Sequence, residues 1–585
     1  MTLPLPRHSC NLLLEGGVTS GIVYPALITT LAKAYRFNRV GGTSAGAIGA
    51  ALAAAAEYAR GAPDAHDGLA VIDRLTTELG RGVNGHEGPL LLQALFQPAP
   101  RTRATFDLLS SGLSGQGPTH VPLRALRQRP LAAVLGALPG LSVMALARGV
   151  EGPLAQPAGQ VLGGALAAVG AVTAALAGSA VQGKRALEAT TFGLCPGRTA
   201  PGAVCEGLTD WLTRAIDEVA GPRMDAGPLT FGDLEDRGVT LRMMTTCLTL
   251  GRPYSLPFDN NLFYFQVDEM RALFPETVVE HLVAARRSPS ERETALHTRL
   301  AEKGIYPLPE GRRLPVVVGV RLSLSFPLLI SAVRLYAVDY ARAPTRPGDD
   351  VSPVLFTDGG LSSNLPLHFF DTALPGCPTF AVNLRSFSEG QVPSADEAEN
   401  VWLPGHAGQG RQPEFRSVTS LGAFGTTILD TARNWKDGLY VTAPGYRDRI
   451  VHVHLDGRVE GGLNLNMTPA TVERLVERGR AAALALMDKY AEVEAWNRHR
   501  RVRLVNLLTA VAELADEYRD QFTADGEDTP WEDILAARNL GYPFVGGEYE
   551  AFKALSDTLI EVGAAHLTMR NRPRPEQRLR LTLDP

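Results

Sequence analysis

Short apolar runs alternate with helix-forming stretches at the start of the chain. Residues 10–14 (CNLLL) form an apolar run of strand length, and Val23–Tyr35 carries its apolar residues at helical spacing. A second short run, Phe37–Val40, precedes a stretch of small helix-forming residues at 47–60. Strands that alternate with helices are typical of a parallel sheet covered by helices. We therefore predict an α/β fold, with a mainly parallel central sheet sandwiched between helices.

Further strands are predicted later in the chain from β-branched and aromatic runs. They are Thr240–Leu250, Leu314–Val320, Pro353–Thr357, Thr379–Leu384 and Ile450–Leu455. A Thr-Pro pair at 468–469 is a helix start signal, and the charged sequence after it predicts helices. Four parts follow from this pattern: the N-terminal part of the α/β domain (1–84), an inserted apolar helical cap (85–230), the rest of that domain (231–467) and a helical C-terminal region (468–585).

The inserted part contains two uncharged stretches. Residues 130–147 and 152–183 have no charged side chain, and Lys184 and Arg185 follow the second stretch directly. Within it, Val161–Val181 is long enough to cross a bilayer, although alanine and glycine make it weakly hydrophobic. Two interpretations stay open: a helical cap that is buried or docks on a membrane surface, and a segment inserted into the membrane.

Composition excludes several classes of protein. The chain has 585 residues, of which 45% are hydrophobic and 20% charged, so it is neither disordered nor fibrous. Its formal net charge of -5 gives no basic excess, and no nucleic-acid partner is expected. Five cysteines without paired spacing indicate a reducing cytoplasm, and the first ten residues carry no apolar signal-peptide core. We predict a cytoplasmic protein, with peripheral association at the inner membrane face as an option.

The second predicted strand ends in a motif that fits a nucleophile elbow. In Gly42-Thr43-Ser44-Ala45-Gly46, the flanking glycines allow a sharp strand-to-helix turn that projects the serine hydroxyl above the sheet. The helix that follows directs its N-terminal amides to the same place, where an oxyanion would form. Ser44 is therefore the candidate nucleophile, with Gly42 and Gly46 as the elbow glycines.

Two other loops carry candidate chemistry. Residues 15–21 (EGGVTSG) follow the first strand and lack the sequence of a nucleotide-binding loop, so an oxyanion loop is the simpler interpretation. Asp358-Gly359-Gly360 ends the strand-like run PVLFT, at the edge where open α/β sheets place their sites.

These three motifs, in this order, resemble the patatin-like phospholipases of bacteria. EGGVTSG matches the oxyanion loop of that family, GTSAG the elbow and DGG the aspartate motif, and residues 321–327 (RLSLSFP) resemble the segment that precedes the aspartate motif. The similarity covers roughly residues 9 to 390, interrupted by the apolar insertion.

The resemblance implies a Ser-Asp dyad. Ser44 would attack an ester carbonyl, and Asp358 would accept the serine proton and return it to the leaving alcohol. The backbone amides implied to hold the oxyanion belong to Gly16, Gly17, Val18 and Ala45. The family usually shows DGGGxRG in this loop, whereas here Val18 takes the place of the third glycine and Ser20 that of the basic residue. Without the basic residue at position 20, the loop lacks the cation that would bind an anionic head group or hold the loop in place.

The function implied is a serine acyl hydrolase that cleaves lipid esters, of phospholipase A or lysophospholipase type. Membrane phospholipid or another acyl ester would be the substrate, and neither a metal nor another cofactor is expected. Two alternative functions stay open: an esterase or thioesterase for soluble substrates, and a membrane-targeting effector activated by a partner or signal. An alternative mechanism is a Ser-Asp-His triad using His452 or His454, which follow Asp358 on a strand-like segment. We interpret those histidines as core or surface residues, because Ser44 follows only the second strand.

Overall fold

The architecture was obtained as a computed structural model of the chain. It describes residues 8–17, 19–60, 66–83, 88–113, 120–149, 155–223, 227–288, 293–339, 351–388, 390–410, 418–457, 459–461, 464–465, 467–523, 530–537, 544–567 and 573–574.

Thirteen strands are formed by the described residues. In chain order they are β1 His8–Leu14, β2 Tyr35–Gly42, β3 Gly193–Cys195, β4 Thr240–Cys247, β5 Arg252–Leu256, β6 Phe263–Gln266, β7 Ile305–Pro307, β8 Leu328–Ile330, β9 Val333–Val338, β10 Val351–Asp358, β11 Thr379–Ser386, β12 Val401–Trp402 and β13 Ile450–Leu455. Eleven of them build one sheet in the order β12-β13-β11-β1-β2-β4-β10-β9-β6-β7, with β5 paired to β4, while β3 and β8 form a separate pair.

The described residues also form nineteen α-helices. They are α1 Tyr24–Leu31, α2 Ala45–Arg60, α3 Gly68–Leu79, α4 Leu91–Ala94, α5 Arg103–Leu113, α6 His120–Gln128, α7 Pro130–Ala147, α8 Ala155–Ala189, α9 Leu208–Ala220, α10 Phe231–Asp236, α11 Val267–Arg271, α12 Glu276–Ala284, α13 Thr294–Ala301, α14 Val316–Ser323, α15 Leu421–Thr442, α16 Pro469–Tyr490, α17 Val493–Phe522, α18 Trp531–Ala536 and α19 Glu548–Ala564.

The prediction of a mainly parallel sheet is wrong, because the sheet is mixed. Within it, β1 pairs with β2 and β2 with β4 in parallel. Antiparallel pairs are more numerous: β4 with β5 and β10, β9 with β10 and β6, β6 with β7, and β12 with β13. The alternation of strand and helix predicted for the first 60 residues is therefore present, but it does not extend to the later strands.

A tight turn explains one of these antiparallel pairs. The predicted strand Thr240–Leu250 stops at Cys247, and the chain reverses through Gly251, whose φ of 64° is in the left-handed region that glycine adopts without strain, into the antiparallel β5. Antiparallel neighbours need only such a short connection, whereas parallel neighbours need a crossover.

One predicted strand is a helix. The valine-rich segment Leu314–Val320 has the β-branched composition of a strand, but residues 316–323 form α14, which begins after Pro315. Every residue of α14 is buried, so tertiary packing overrides the local preference of valine.

The chain forms two compact units. The first comprises residues 1–369, 381–402 and 452–484, and its core includes Leu12, Leu13 and Phe37, which are fully buried. The second comprises residues 370–380, 403–451 and 485–585. Inside this second unit, the Asp371 carboxylate accepts hydrogen bonds from Arg449 and Arg503, at 3.2 and 2.9 Å.

Candidate active site

Ser44 lies on a strained turn between a strand and a helix. β2 ends at Gly42 and α2 begins at Ala45, so Thr43 and Ser44 alone make the connection. The φ of Ser44 is 54°, a left-handed conformation that costs a residue with a side chain about 1–2 kcal/mol. Strain of this kind is typical of functional turns, and a strand-to-helix turn with this backbone geometry is what a nucleophile elbow would require.

Both elbow glycines lie against backbone. A Cβ on Gly42 would come within 2.4 Å of the Gly46 carbonyl oxygen, and a Cβ on Gly46 within 2.3 Å of the Leu14 carbonyl oxygen. Since backbone atoms cannot rotate away as a flexible side chain can, neither position has room for a larger residue. The glycines thus allow α2 to begin directly beside β1.

Asp358 ends β10 at the same edge of the sheet. In the strand between the two candidates, β4, Met243 is the partner of Gly42 and Thr245 is the partner of Asp358. The Asp358 Oδ1 accepts a hydrogen bond of 2.7 Å from the Gly360 amide. Ser44 and Asp358 are 1% and 2% exposed, so both predicted dyad residues are shielded from water.

One short segment at the C-terminal end of α14 holds both residues. The Ser44 amide donates to the Ser323 Oγ at 3.1 Å. Two residues further on, the Ser325 carbonyl oxygen accepts from the Asp358 amide at 3.0 Å and from the Thr357 hydroxyl at 2.7 Å. The backbones of the candidate nucleophile and the candidate base are therefore bound to the same five-residue stretch, 321–325.

A buried arginine supports that stretch. The Arg321 guanidinium donates to the Ser325 Oγ at 2.6 Å and to the carbonyl oxygens of Pro196 and Ser331 at 3.1 and 2.8 Å. Complete burial lowers the pKa of Arg321 to about 9. These neutral acceptors are what fix the position of the cation.

Glu15 fixes the predicted oxyanion loop from inside the protein. Its Oε1 accepts from the Asn364 side chain at 2.7 Å, and its Oε2 accepts from the Asn383 side chain at 2.7 Å and from the Leu384 amide. The Tyr24 hydroxyl donates to the Glu15 carbonyl oxygen. Burial and, to a smaller extent, the Glu15 charge raise the pKa of Tyr24 well above its usual value. The start of the loop is thereby tied to β11 and to the loop after Asp358.

Two of the predicted oxyanion donors, the amides of Gly16 and Ala45, are engaged within the protein. The Gly16 amide donates to the Asn364 carbonyl oxygen at 2.9 Å, and the Ala45 amide donates to the Gly17 carbonyl oxygen at 3.1 Å. The Ser44 hydroxyl also lies 3.5 Å from that Gly17 oxygen. Val18 lies outside the described residues. The Gly17 carbonyl therefore occupies the place where an oxyanion bound to Ala45 would sit.

The two strand histidines belong to the core of β13. The ring Nδ1 of His452 lies 2.9 Å from the Asn383 side-chain oxygen, and that of His454 lies 3.3 Å from the Asn400 carbonyl oxygen. Both rings are buried. These contacts fit the interpretation of the two as core histidines.

Sequence reasoning missed the structural roles of Glu15, Arg321 and the two serines of the 321–325 stretch. Their partners are distant in the chain: Glu15 is separated from Asn364 by 349 positions, and Ser44 from Ser323 by 279. An acidic residue directly before the glycines and a polar RLSLS run inside an apolar region were the available signals.

Comparisons with known proteins place the chain in a family. No protein-family model matches it. A solved structure, that of VipD from Legionella pneumophila, aligns over 97% of this chain and 89% of its own with 13% identity and a TM-score of 0.28, a likeness too weak to carry an argument. A protein from Rhizobium meliloti (strain 1021) named RpoH suppressor is 34% identical over 565 residues, covering 85% of either chain. The chain therefore belongs to the same family as the RpoH suppressor of Rhizobium meliloti.

Proposed function

We propose that the chain is a serine acyl hydrolase that cleaves lipid esters of the phospholipase A or lysophospholipase type. The observation that carries this proposal is the shared support of Ser44 and Asp358: the amide of the strained serine turn is bound to the Ser323 hydroxyl, and the amide of the buried Asp358 is bound to the Ser325 carbonyl oxygen. A buried serine held at a positive φ between a strand and a helix has a cost in stability, and catalysis accounts for such a cost.

The reaction would proceed through an acyl-enzyme. The Ser44 Oγ attacks the ester carbonyl carbon while its proton passes to the Asp358 carboxylate, which then returns the proton to the departing alkoxide. Water attacks the acyl-enzyme in the second half, with Asp358 again accepting a proton, and Ser44 recovers it when the fatty acid leaves. In both halves the negative oxygen needs amide donors.

A specific observation favours an enzyme that rests in an inactive state. Because the Ala45 amide is bonded to the Gly17 carbonyl, the oxyanion can use it only after that peptide turns away. This geometry supports a partner- or signal-activated effector as the second candidate. In that candidate the same dyad acts once the loop at Gly16 and Gly17 has moved.

The dyad can be tested with an active-site probe and three sets of variants. A fluorophosphonate should label the wild type at Ser44, and Ser44→Ala should lose both labelling and turnover. Asp358→Asn should lower turnover by about 10²–10⁴-fold, the usual contribution of a general base. The matched control Asp259→Asn changes an exposed carboxylate and should leave turnover unchanged. If His452→Ala and His454→Ala, while folded, abolish turnover and Asp358→Asn does not, the dyad is wrong and a triad is right.

The substrate class requires a separate experiment. Membranes are incubated with wild type or with Ser44→Ala, and released fatty acids and lysolipids are identified by mass spectrometry. Accumulation with wild type alone supports lipid esters as substrates. Turnover of monomeric esters or thioesters, without any change in the lipids, would favour the soluble-substrate alternative. Turnover that requires added cell extract would favour the activated effector.

A further inference from the structure

Helices α7 and α8 form a hairpin whose large apolar side chains face outward. Only 11% of α7 and 17% of the most apolar 18-residue window of α8 are buried. Leu131, Leu146 and Val161 are 80%, 75% and 73% exposed. A helix in the core of a soluble protein would be mostly buried, and a signal sequence would lie near the N-terminus. Neither description fits this hairpin.

Small residues make the contact between the two helices. A Cβ on Gly136 would lie 2.1 Å from the Gly170 carbonyl oxygen, and a Cβ on Gly140 would lie 2.1 Å from the Ala167 amide. The backbones therefore touch directly, and the leucines and valines are left outside. Water would favour the opposite arrangement, with large apolar residues inside, whereas helices in lipid associate through small residues.

Two hydroxyl groups of the hairpin are bonded within their own helices, as a bilayer favours. The Ser142 hydroxyl donates to the Leu138 carbonyl oxygen, and the Thr173 hydroxyl to the Val169 carbonyl oxygen, each at 2.9 Å within its own helix. Ser142 is the only residue of 130–147 with a polar side chain. A helix that docks on a protein partner would keep a polar face for water, and the sequence of α7 provides none.

The dimensions match the hydrocarbon thickness. The 18 residues of α7 span about 27 Å at 1.5 Å per residue, against roughly 30 Å for the apolar core of a bilayer. Charges stand at the two ends of the hairpin. Its base, where it joins the rest of the first unit, carries Arg127, Arg129, Lys184 and Arg185 together with Glu188, whereas Arg148 is the only Lys or Arg in the sequence between the two helices.

We propose that the α7-α8 hairpin is inserted in a lipid bilayer as a two-helix anchor, with both ends on the side of the first unit. The excess of positive charge at the base places that side in the cytoplasm. The occupant of the exposed apolar surface is the acyl region of the membrane. This inference does not depend on hydrolase activity.

Membrane extraction tests the insertion. The full chain is expressed in bacteria, and membranes are washed with alkaline carbonate, which releases peripheral proteins. Wild type should stay in the pellet. The double variant Leu135→Arg/Val169→Arg places charges on outward-facing positions and should lower the retained fraction at least tenfold. The control Val392→Arg, at an exposed valine outside the hairpin, should be retained like wild type. Charges at Ala167 or Ala174 would instead break the contact between the helices, so those positions are avoided.

A labelling experiment remains decisive if the arginine variants misfold. Leu138→Cys and Val392→Cys are compared in membrane vesicles with a hydrophilic maleimide, with wild type as background. Leu138→Cys should react at least tenfold more slowly than Val392→Cys, and equally fast after denaturation in detergent and urea. Equal rates in intact vesicles would overturn the proposal. Complete release of wild type by carbonate would overturn it as well, in favour of peripheral docking or of a soluble assembly that covers the hairpin.

Discussion

Replacing Gly46 with alanine should reverse the usual effect of that substitution in a helix. In an open helical position, alanine stabilises by roughly 1 kcal/mol relative to glycine. At Gly46, however, the new Cβ would lie 2.3 Å from the Leu14 carbonyl oxygen and 2.6 Å from that of Glu15. A Cβ this close to another atom requires that atom to shift, and here the atoms that would shift are backbone atoms at the end of β1. Overpacking costs about 1–3 kcal/mol, and rigid backbone places Gly46 at the upper end of that range. Subtracting the gain in helix propensity leaves a net loss of about 2 kcal/mol.

The same substitution elsewhere provides the control. Gly438 lies inside α15, and a Cβ there meets nothing within 4 Å. Gly438→Ala should therefore stabilise its unit by up to about 1 kcal/mol. Scanning calorimetry measures the stability of both variants against wild type. Gly46→Ala should also lower turnover strongly, since any shift of the start of α2 moves Ser44. If Gly46→Ala were as stable and as active as wild type, the close approach of α2 to β1 and the elbow built on it would be refuted.

Two further variants address the support of the site. Glu15→Gln would place an amide group opposite donors from Asn383 and Leu384, so we expect the free energy of unfolding to fall by about 2–3 kcal/mol. Turnover should be more than tenfold slower, and backbone amides of residues 14–17 should exchange hydrogen faster. Amide protection equal to that of wild type would show that Glu15 does not hold the loop. Arg321→Met removes the donor to Ser325 and to two carbonyl oxygens, so the free energy of unfolding should fall by about 3 kcal/mol. Arg321→Lys should recover part of that stability. A Met variant as stable as wild type would show that the cation is dispensable.

Local rules predicted the elbow well and the sheet poorly. The strand before Ser44, the turn and the small-residue helix after it depend on neighbours in sequence, and the structure has all three at β2, Ser44 and α2. The mixed character of the sheet depends on which strands meet, and a turn as short as the one at Gly251 was enough to reverse the direction of pairing. The α14 helix was missed because its valines are stabilised by burial on all sides, which composition does not reveal.

In the candidate site, too, local features could be predicted from the sequence and long-range contacts could not. Ser44 and Asp358 were predicted from motifs that each occupy a few consecutive residues. The hydrogen bonds of Glu15 with Asn364 and Asn383 could not be predicted in this way, because they join side chains that are hundreds of positions apart in the sequence. A glycine loop also gives no sign that its own carbonyl would take up the Ala45 amide.

The attachment of Ser44 and Asp358 to one stretch has a mechanical consequence. Since residues 323 and 325 hold both backbones, the separation of the Ser44 and Asp358 backbones depends on one short piece of chain at the end of α14. The oxyanion loop is fastened separately, to β11 through Glu15. In the proposed enzyme, the two dyad residues thus share one support, while the oxyanion loop has a second anchor besides its contact with Ala45, so that a movement of this loop would change oxyanion binding and leave the hydrogen bonds to residues 323 and 325 in place.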